Sequence, residues 1–350
     1  MRYFFLVIVL IGLPLSFIGD YLNWTQLWMF IIYSTTIIAL ATYMGRATES
    51  LSIHVGQRIG GLLNATFGNA VELIISIFAL KAGLISIVLA SMTGAVIGNL
   101  LLVAGLSFLV GGLKHKRQGF NIYDARHNVS LLMVGIVIAF VFPHIFASRA
   151  SEVAALTLSI IVAVILIILY AATLFFRLVT QRGVYPTDHD REHEEDEAEW
   201  GKDKSLLVLL IATIGVAFIS EKLVHTFDVL AKSFGWSEVF IGVIIVAIVG
   251  NAAEHSSAVW MAYKDKMNVA VEIAIGSSIQ IAMFVVPILV LISLLFPVRM
   301  ALVFTVPELI SMVLAVLLTH VIIYDGDTNW FEGAALLAAY AIMAVGFYLL

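Results

Sequence analysis

No cysteine occurs anywhere in the 350 residues, which removes disulfides, thiolate metal sites and cysteine nucleophiles from consideration. Charge is scarce too. Asp, Glu, Lys and Arg make up 12% of the chain, about half the roughly 25% of an ordinary soluble domain. The net charge of -5 comes mainly from one loop and is not a global field, so nucleic acid is not an expected partner. No nucleophile or cofactor motif is visible, and no cofactor is expected.

What fills the sequence is apolar: 61% hydrophobic residues and a mean hydropathy of +1.04, the composition of a polytopic membrane protein surrounded by lipid bilayer. Stretches long enough to span, roughly 17–25 residues each, lie near 3–19, 26–44, 59–80, 83–111, 128–146, 152–178, 205–223, 238–260, 268–296, 301–323 and 332–350. The expected fold is all-α with about eleven transmembrane helices. The first stretch is read as a retained helix, because its length and the lack of an A-x-A-like site before Asp20 argue against a cleaved signal.

Against that background two segments stand out. Gly68-Asn69-Ala70-Val71-Glu72 and Gly250-Asn251-Ala252-Ala253-Glu254 nearly repeat one another 182 residues apart. A carboxylate in a spanning helix costs about 3 kcal/mol or more, so each Glu is a functional-site hypothesis by default. The echo continues without a gap, since Gly94 and Gly276 each follow their Glu by 22 residues. It predicts an extra first helix (1–25), a five-helix repeat (26–178), an acidic linker (179–204) and a second five-helix repeat (205–350). An odd number of spans per repeat makes the two inverted, the arrangement that supports alternating access about a shared midplane site.

Orientation follows from positive charge. Of the 19 Lys and Arg residues, 14 fall in loops on the side of the N-terminus. That side is expected to be cytoplasmic and the C-terminus outside. The linker carries Asp188, Asp190, Glu192, Glu194, Glu195, Asp196, Glu197, Glu199 and Asp203. It reads as a solvated segment, with concentration or sensing of divalent cations as the sharper alternative. Tyr324–Asn329 begins like an EF-hand loop but fails at its twelfth position, Leu336, where a bidentate Glu is required; it is expected to be an exposed turn.

In each motif Asn and Glu are three residues apart, a spacing that puts them on one helix face. The preceding glycines, Gly68 and Gly250, are expected to loosen the helix and expose carbonyls. Glu72, Glu254, Asn69 and Asn251 then offer a set of oxygens suited to a hard cation, Ca²⁺ above all, with Mn²⁺ left open. The alternative is that each Glu only hydrogen-bonds a neighbouring helix. Asn99 and Gln280 are near-equivalent amides on the following helices. Ser277 and Ser278 add hydroxyls to the pathway and Ser76, Ser256 and Ser257 lie just beyond the two Glu residues, but each of these serines taken singly is better read as helix packing. His255 follows Glu254 and is a candidate proton acceptor. Glu272 and Glu308 are expected to be structural, near helix starts where the macrodipole favours a carboxylate.

The runs "GNAVELIIS" with "GNLLLVAG", and "GNAAEHSSAV" with "GSSIQIA", resemble the two signature repeats of the Ca²⁺/H⁺ antiporters, the CAX branch of the calcium/cation antiporter superfamily. The resemblance implies that Glu72 and Glu254 bind the ion, that Asn69, Asn251, Asn99 and Gln280 line the pathway and that His255 lies close by. Ala95 and Gly98 stand where a Ser is common in that family's first repeat. The activity so implied is secondary transport exchanging cytoplasmic Ca²⁺ for H⁺. Proton and Ca²⁺ would compete for the same buried oxygens, in a bacterial-type plasma membrane. A Na⁺/Ca²⁺ exchanger is the nearest alternative, followed by a cation channel or an intramembrane enzyme; a homo-oligomer is left open.

Overall fold

The computed structural model describes residues 2–180 and 198–350. Among the described residues twelve helices follow one another: α1 Arg2–Tyr21, α2 Gln26–Val55, α3 Gln57–Phe67, α4 Ala70–Lys81, α5 Ile85–His115, α6 Ile122–Ala147, α7 Glu152–Thr180, α8 Lys202–Phe234, α9 Glu238–Tyr263, α10 Met267–Ser293, α11 Val306–Ile322 and α12 Trp330–Leu349. Among the described residues ten are long and apolar enough to cross a membrane. The eleventh expected span, near 59–80, is present as two shorter helices, α3 and α4. The break falls at Gly68 and Asn69, where Asn69 sits at φ -100°, ψ 24° as the N-cap of α4.

Several ends differ from the apolar stretches in the sequence. α2 runs to Val55 and α8 to Phe234, each with an ion-paired residue, Arg46 or Lys222, within the longer helix. In the second half of α2, Arg46 forks onto Glu199, with Nε to Oε2 at 2.7 Å, and Trp200 stacks on Tyr43 with ring centroids 6.2 Å apart. Towards the other end Asp20 of α1 accepts from both Tyr33 of α2 and Lys222 of α8. The start of α11 is at Val306 and not near 301, fixed by a capping box between Thr305 and Glu308 with Pro307 in the first turn. Glu308 is therefore a helix-start residue, as expected.

The turn at 324–329 is not merely exposed. Its last residues form a strand, β2 Asp327–Asn329, antiparallel to β1 Arg117–Gly119 with Gln118 opposite Thr328. Arg117 Nε donates to Asp327 Oδ1 at 2.7 Å, and Gln118 Nε2 reaches Asp265 Oδ1 at 2.7 Å. This ribbon ties the 115–122, 263–267 and 323–330 connections together on one face of the bundle, the face from which α1 begins. The linker carboxylates from Asp188 to Glu197 lie outside the described residues.

The helices that follow the two motifs form the centre. In α5 and α10, 72% and 67% of the apolar window is buried, against 17% in α1 and 22% in α12. α5 meets α9 backbone to backbone: a Cβ built on Gly94 would lie 2.0 Å from the Val243 carbonyl oxygen, and one on Gly242 2.5 Å from Ala90 Cβ. Only glycine permits that approach, and it brings the second motif, on α9, against the helix that follows the first.

Candidate functional site

The two motifs face each other through their glycines. A Cβ on Gly250 would lie 2.9 Å from Glu72 Cγ, and one on Gly68 would lie 3.4 Å from Glu254 Oε1 and 3.2 Å from Gln280 Oε1. Each motif thus leaves out a side chain where the other motif's Glu passes. This corrects the expectation that both glycines loosen their helices: the chain breaks at Gly68, but Gly250 lies inside a continuous α9. The shared property of the two glycines is room for the opposite carboxylate.

A chain of hydrogen bonds joins the halves. Asn69 Nδ2 donates to Gln280 Oε1 at 2.7 Å, and Ser277 Oγ lies 2.9 Å from Asn69 Oδ1 and 2.7 Å from Glu254 Oε2. Asn69 can take part because the helix break puts it at the start of α4, with both amide atoms free of intrahelical duties. Asn251, inside its helix, returns its Nδ2 to the Ala247 carbonyl one turn back at 2.9 Å.

The other half of the site is unsatisfied. Glu72 Oε1, Asn251 Oδ1 and Asn99 Nδ2 are buried without a hydrogen-bond partner among the described residues. Glu72 is 5% exposed and Asn251 and Asn99 1% each, so bulk water does not compensate them. Orphaned buried oxygens are rare in folded proteins, and one reason for them is an ion or water that the site takes up. Asn99 belongs to a π-helical stretch, Gly98–Val103, that packs against α9 and α10; such bulges often accompany functional sites.

The remaining sequence candidates separate. Ser278 turns back to the Ala274 carbonyl at 2.9 Å and is fully buried, outside the hydrogen-bonded group. Ser256 does the same to Ala252 at 2.8 Å. His255 leaves Nε2 buried without a partner among the described residues, and no hydrogen bond joins it to Glu254. Glu272 departs from its reading as a helix-start residue. It is the sixth residue of α10, beyond the first turn where the dipole acts, and pairs with Arg177 at 3.1 Å. Sequence reasoning had no signal for that pair, whose members are 95 positions apart.

A family model described as "Sodium/calcium exchanger protein" matches residues 25–179 and 204–349. The Ca(2+)/H(+) antiporter ChaA of Bacillus subtilis is 63% identical over 351 residues, covering 100% of both chains. The chain belongs to the sodium/calcium exchanger protein family, in its Ca²⁺/H⁺ antiporter branch. Another member, the Ca(2+)/H(+) antiporter of Synechocystis, is 41% identical over 98% of this chain and 96% of its own. Among solved structures, native YfkE superposes with a TM-score of 0.88 at 59% identity, over 99% of this chain and 100% of that one. The exchanger fold is therefore shared from end to end, and the reciprocal Gly and Glu contacts sit at its centre.

Proposed function

We propose that the protein is a secondary transporter that exchanges Ca²⁺ for protons, with Glu72 and Glu254 as the groups for which the two ions compete. The observation that carries this is the reciprocal packing of the two motifs, which brings two intramembrane carboxylates into one cleft beside unsatisfied oxygen. The names of the relatives, both Ca(2+)/H(+) antiporters, support the choice of ions. Two carboxylates neutralise the two charges of Ca²⁺, and Glu72 Oε1 and Asn251 Oδ1 supply oxygens that have no partner among the described residues.

Ser277 gives the exchange a local mechanism. Its hydroxyl carries one proton but contacts two acceptors, Asn69 Oδ1 and Glu254 Oε2. Protonated Glu254 donates to Ser277, which then donates to Asn69, and every contact is satisfied. Once Glu254 ionises, the Ser277 proton turns to the carboxylate and Asn69 Oδ1 is released as a further oxygen ligand. Loss of the proton thereby creates both the charge and the ligand that a cation needs, and the returning proton removes both. A site empty of either ion leaves two carboxylates facing one another out of water, an unfavourable state that discourages uncoupled crossing.

The two matched stretches of the family model and the paired motifs support two five-helix repeats of opposite topology that give access to each side in turn. The positive-charge bias supports a cytoplasmic N-terminus, and the 63% identical relative from Bacillus subtilis supports a bacterial-type plasma membrane. The test is Ca²⁺ uptake into proteoliposomes with an acid interior, compared with a Na⁺-loaded interior. Uptake driven by the proton gradient and lost in Glu72→Gln and Glu254→Gln is the expected result. Uptake driven by Na⁺ alone moves the chain to Na⁺/Ca²⁺ exchange, and folded Gln variants that transport normally overturn the site.

A further inference from the structure

The Arg177 and Glu272 pair is unexplained by the fold. Both side chains are well exposed, 42% and 40%, and an exposed ion pair contributes little to stability. Glu272 is too far into α10 to cap it. Its position along the helix is more informative. Glu272, Gly276 and Gln280 stand at i, i+4 and i+8, one face of α10. The far end of that stripe is in the site, where Gln280 accepts from Asn69. The near end lies about 12 Å away, at 1.5 Å of rise per residue, towards the face from which α1 begins.

Between them the stripe is open. A Cβ on Gly276 would meet nothing within 4 Å except Glu272 Cγ at 3.9 Å. Gly68, Glu254, Gly276 and Gln280 are all partly accessible, whereas Glu72, Asn69 and Asn251 are buried. Glu254 borders the site end of this stripe, since a Cβ on Gly68 would lie 3.4 Å from Glu254 Oε1 and 3.2 Å from Gln280 Oε1. Arg177 sits in the π-helical last turn of α7, Phe176–Thr180, and the neighbouring Leu178 packs on Gly61 of α3, 3.1 Å from where its Cβ would be. The turn therefore touches both α10, through Arg177, and the first half of the broken helix.

We propose that Arg177 and Glu272 form a charge gate at the near end of this open stripe. Among the described residues Glu272 is the carboxylate that a divalent cation meets on the way to Glu254, and the Arg177 guanidinium is the built-in cation that it displaces. The proposal rests on the reading of Glu72 and Glu254 as the exchange site. The chemistry is competition for one carboxylate: a divalent ion brings twice the charge of the guanidinium, and its arrival frees Arg177 to swing from the stripe. Glu272 acts here on entry and not as a ligand of the transported ion at the site.

The experiment is initial-rate Ca²⁺ uptake as a function of Ca²⁺ concentration in proteoliposomes. Wild type is compared with Glu272→Gln, Glu272→Asp, Arg177→Gln and Glu254→Gln, each confirmed monodisperse. Glu272→Gln is expected to raise the Ca²⁺ KM about threefold with little change in maximal rate, the scale of a partly exposed charge. Arg177→Gln is expected to lower KM by removing the competitor, and Glu272→Asp to restore most of the wild-type value. Both shifts shrink with added monovalent salt, which screens exposed charges. Unchanged KM, or a loss of maximal rate alone, overturns the gate while an inactive Glu254→Gln leaves the exchange site standing. If Glu254→Gln transports normally, the site reading falls and the gate falls with it.

Discussion

The two halves of the site carry nearly the same five residues and treat them differently. In the first half Asn69 is fully engaged, by Gln280 and Ser277 of α10. In the second, Asn251 has an oxygen with no partner among the described residues. The cause is one helix over. With the offset of 182 residues between the motifs, the positions matching Ser277 and Gln280 are Ala95 and Gly98, which have no polar side chain to offer. The two motifs share their carboxylates, while the helices beside them differ: one presents Ser277 and Gln280 to Asn69, and the other has only Ala95 and Gly98 at the matching positions.

The largest effect should come from removing either carboxylate. Glu72→Gln and Glu254→Gln keep the shape and remove one of two charges facing a divalent ion, so Ca²⁺ uptake should fall by more than about a hundredfold in each. The comparison sharpens in the double variant. If the two halves form one site, it is no worse than either single, because residues that act as a unit are not additive. Additive losses, measured in the same uptake assay, would mean two separate sites.

Next in size is the pair of glycines. Gly250→Ala puts a methyl 2.9 Å from Glu72 Cγ, a contact that a shift of the Glu72 side chain relieves by displacing its carboxylate. Uptake should drop about tenfold with thermal stability nearly kept. Gly68→Ala meets the Asn64 carbonyl oxygen at 2.8 Å, next to the helix break, so its cost should appear as a lower melting temperature as well. Equal behaviour of the two variants in both assays would remove the structural distinction drawn between the motifs.

How much of this was legible in the sequence follows from what each feature depends on. The spans were, because apolar length is local; ten of eleven appear as continuous helices among the described residues. The eleventh was placed and its loosening at Gly68 expected, but the same was expected at Gly250, since Gly-Asn occurs in both motifs and only one of them breaks. The carboxylates were legible because a repeated charge in an apolar run is anomalous wherever it falls. Ser277 and Ser278 were not separable, as neighbours in sequence carry no label of which way each points. Arg177 could not be matched to Glu272 at all, because ion pairing across 95 residues leaves no local trace.

A smaller effect tests the divergence of α5 and α10 directly. Ser277→Ala removes the only hydroxyl in the chain from Gln280 to Glu254, at a cost of about 1 kcal/mol per lost bond. The dependence of uptake on external proton concentration should flatten, because Asn69 Oδ1 is then free in both states. Ala95→Ser does the converse in the other half. It supplies a donor where Asn251 Oδ1 has none, and should raise the Ca²⁺ KM about threefold, the scale of one hydrogen bond. An unchanged KM in that variant would show that Asn251 Oδ1 is not among the oxygens that meet the ion.

The smallest expected effect is at the next residue. Ser278 is as buried as Ser277 and has the same hydroxyl, but spends it on the Ala274 carbonyl of its own helix. That carbonyl already accepts a helical bond, and a back-bonded Ser contributes little there. Ser278→Ala should therefore change uptake and stability by no more than about 0.5 kcal/mol, against a clear change in proton dependence for Ser277→Ala. The contrast isolates position from composition: two identical side chains, one residue apart and both enclosed, differ only in which oxygen they face. If Ser278→Ala also altered the proton dependence, the hydrogen-bond chain would have to run through α10 by a different route, and the assignment of Ser277 as the hinge between proton and ligand would be lost.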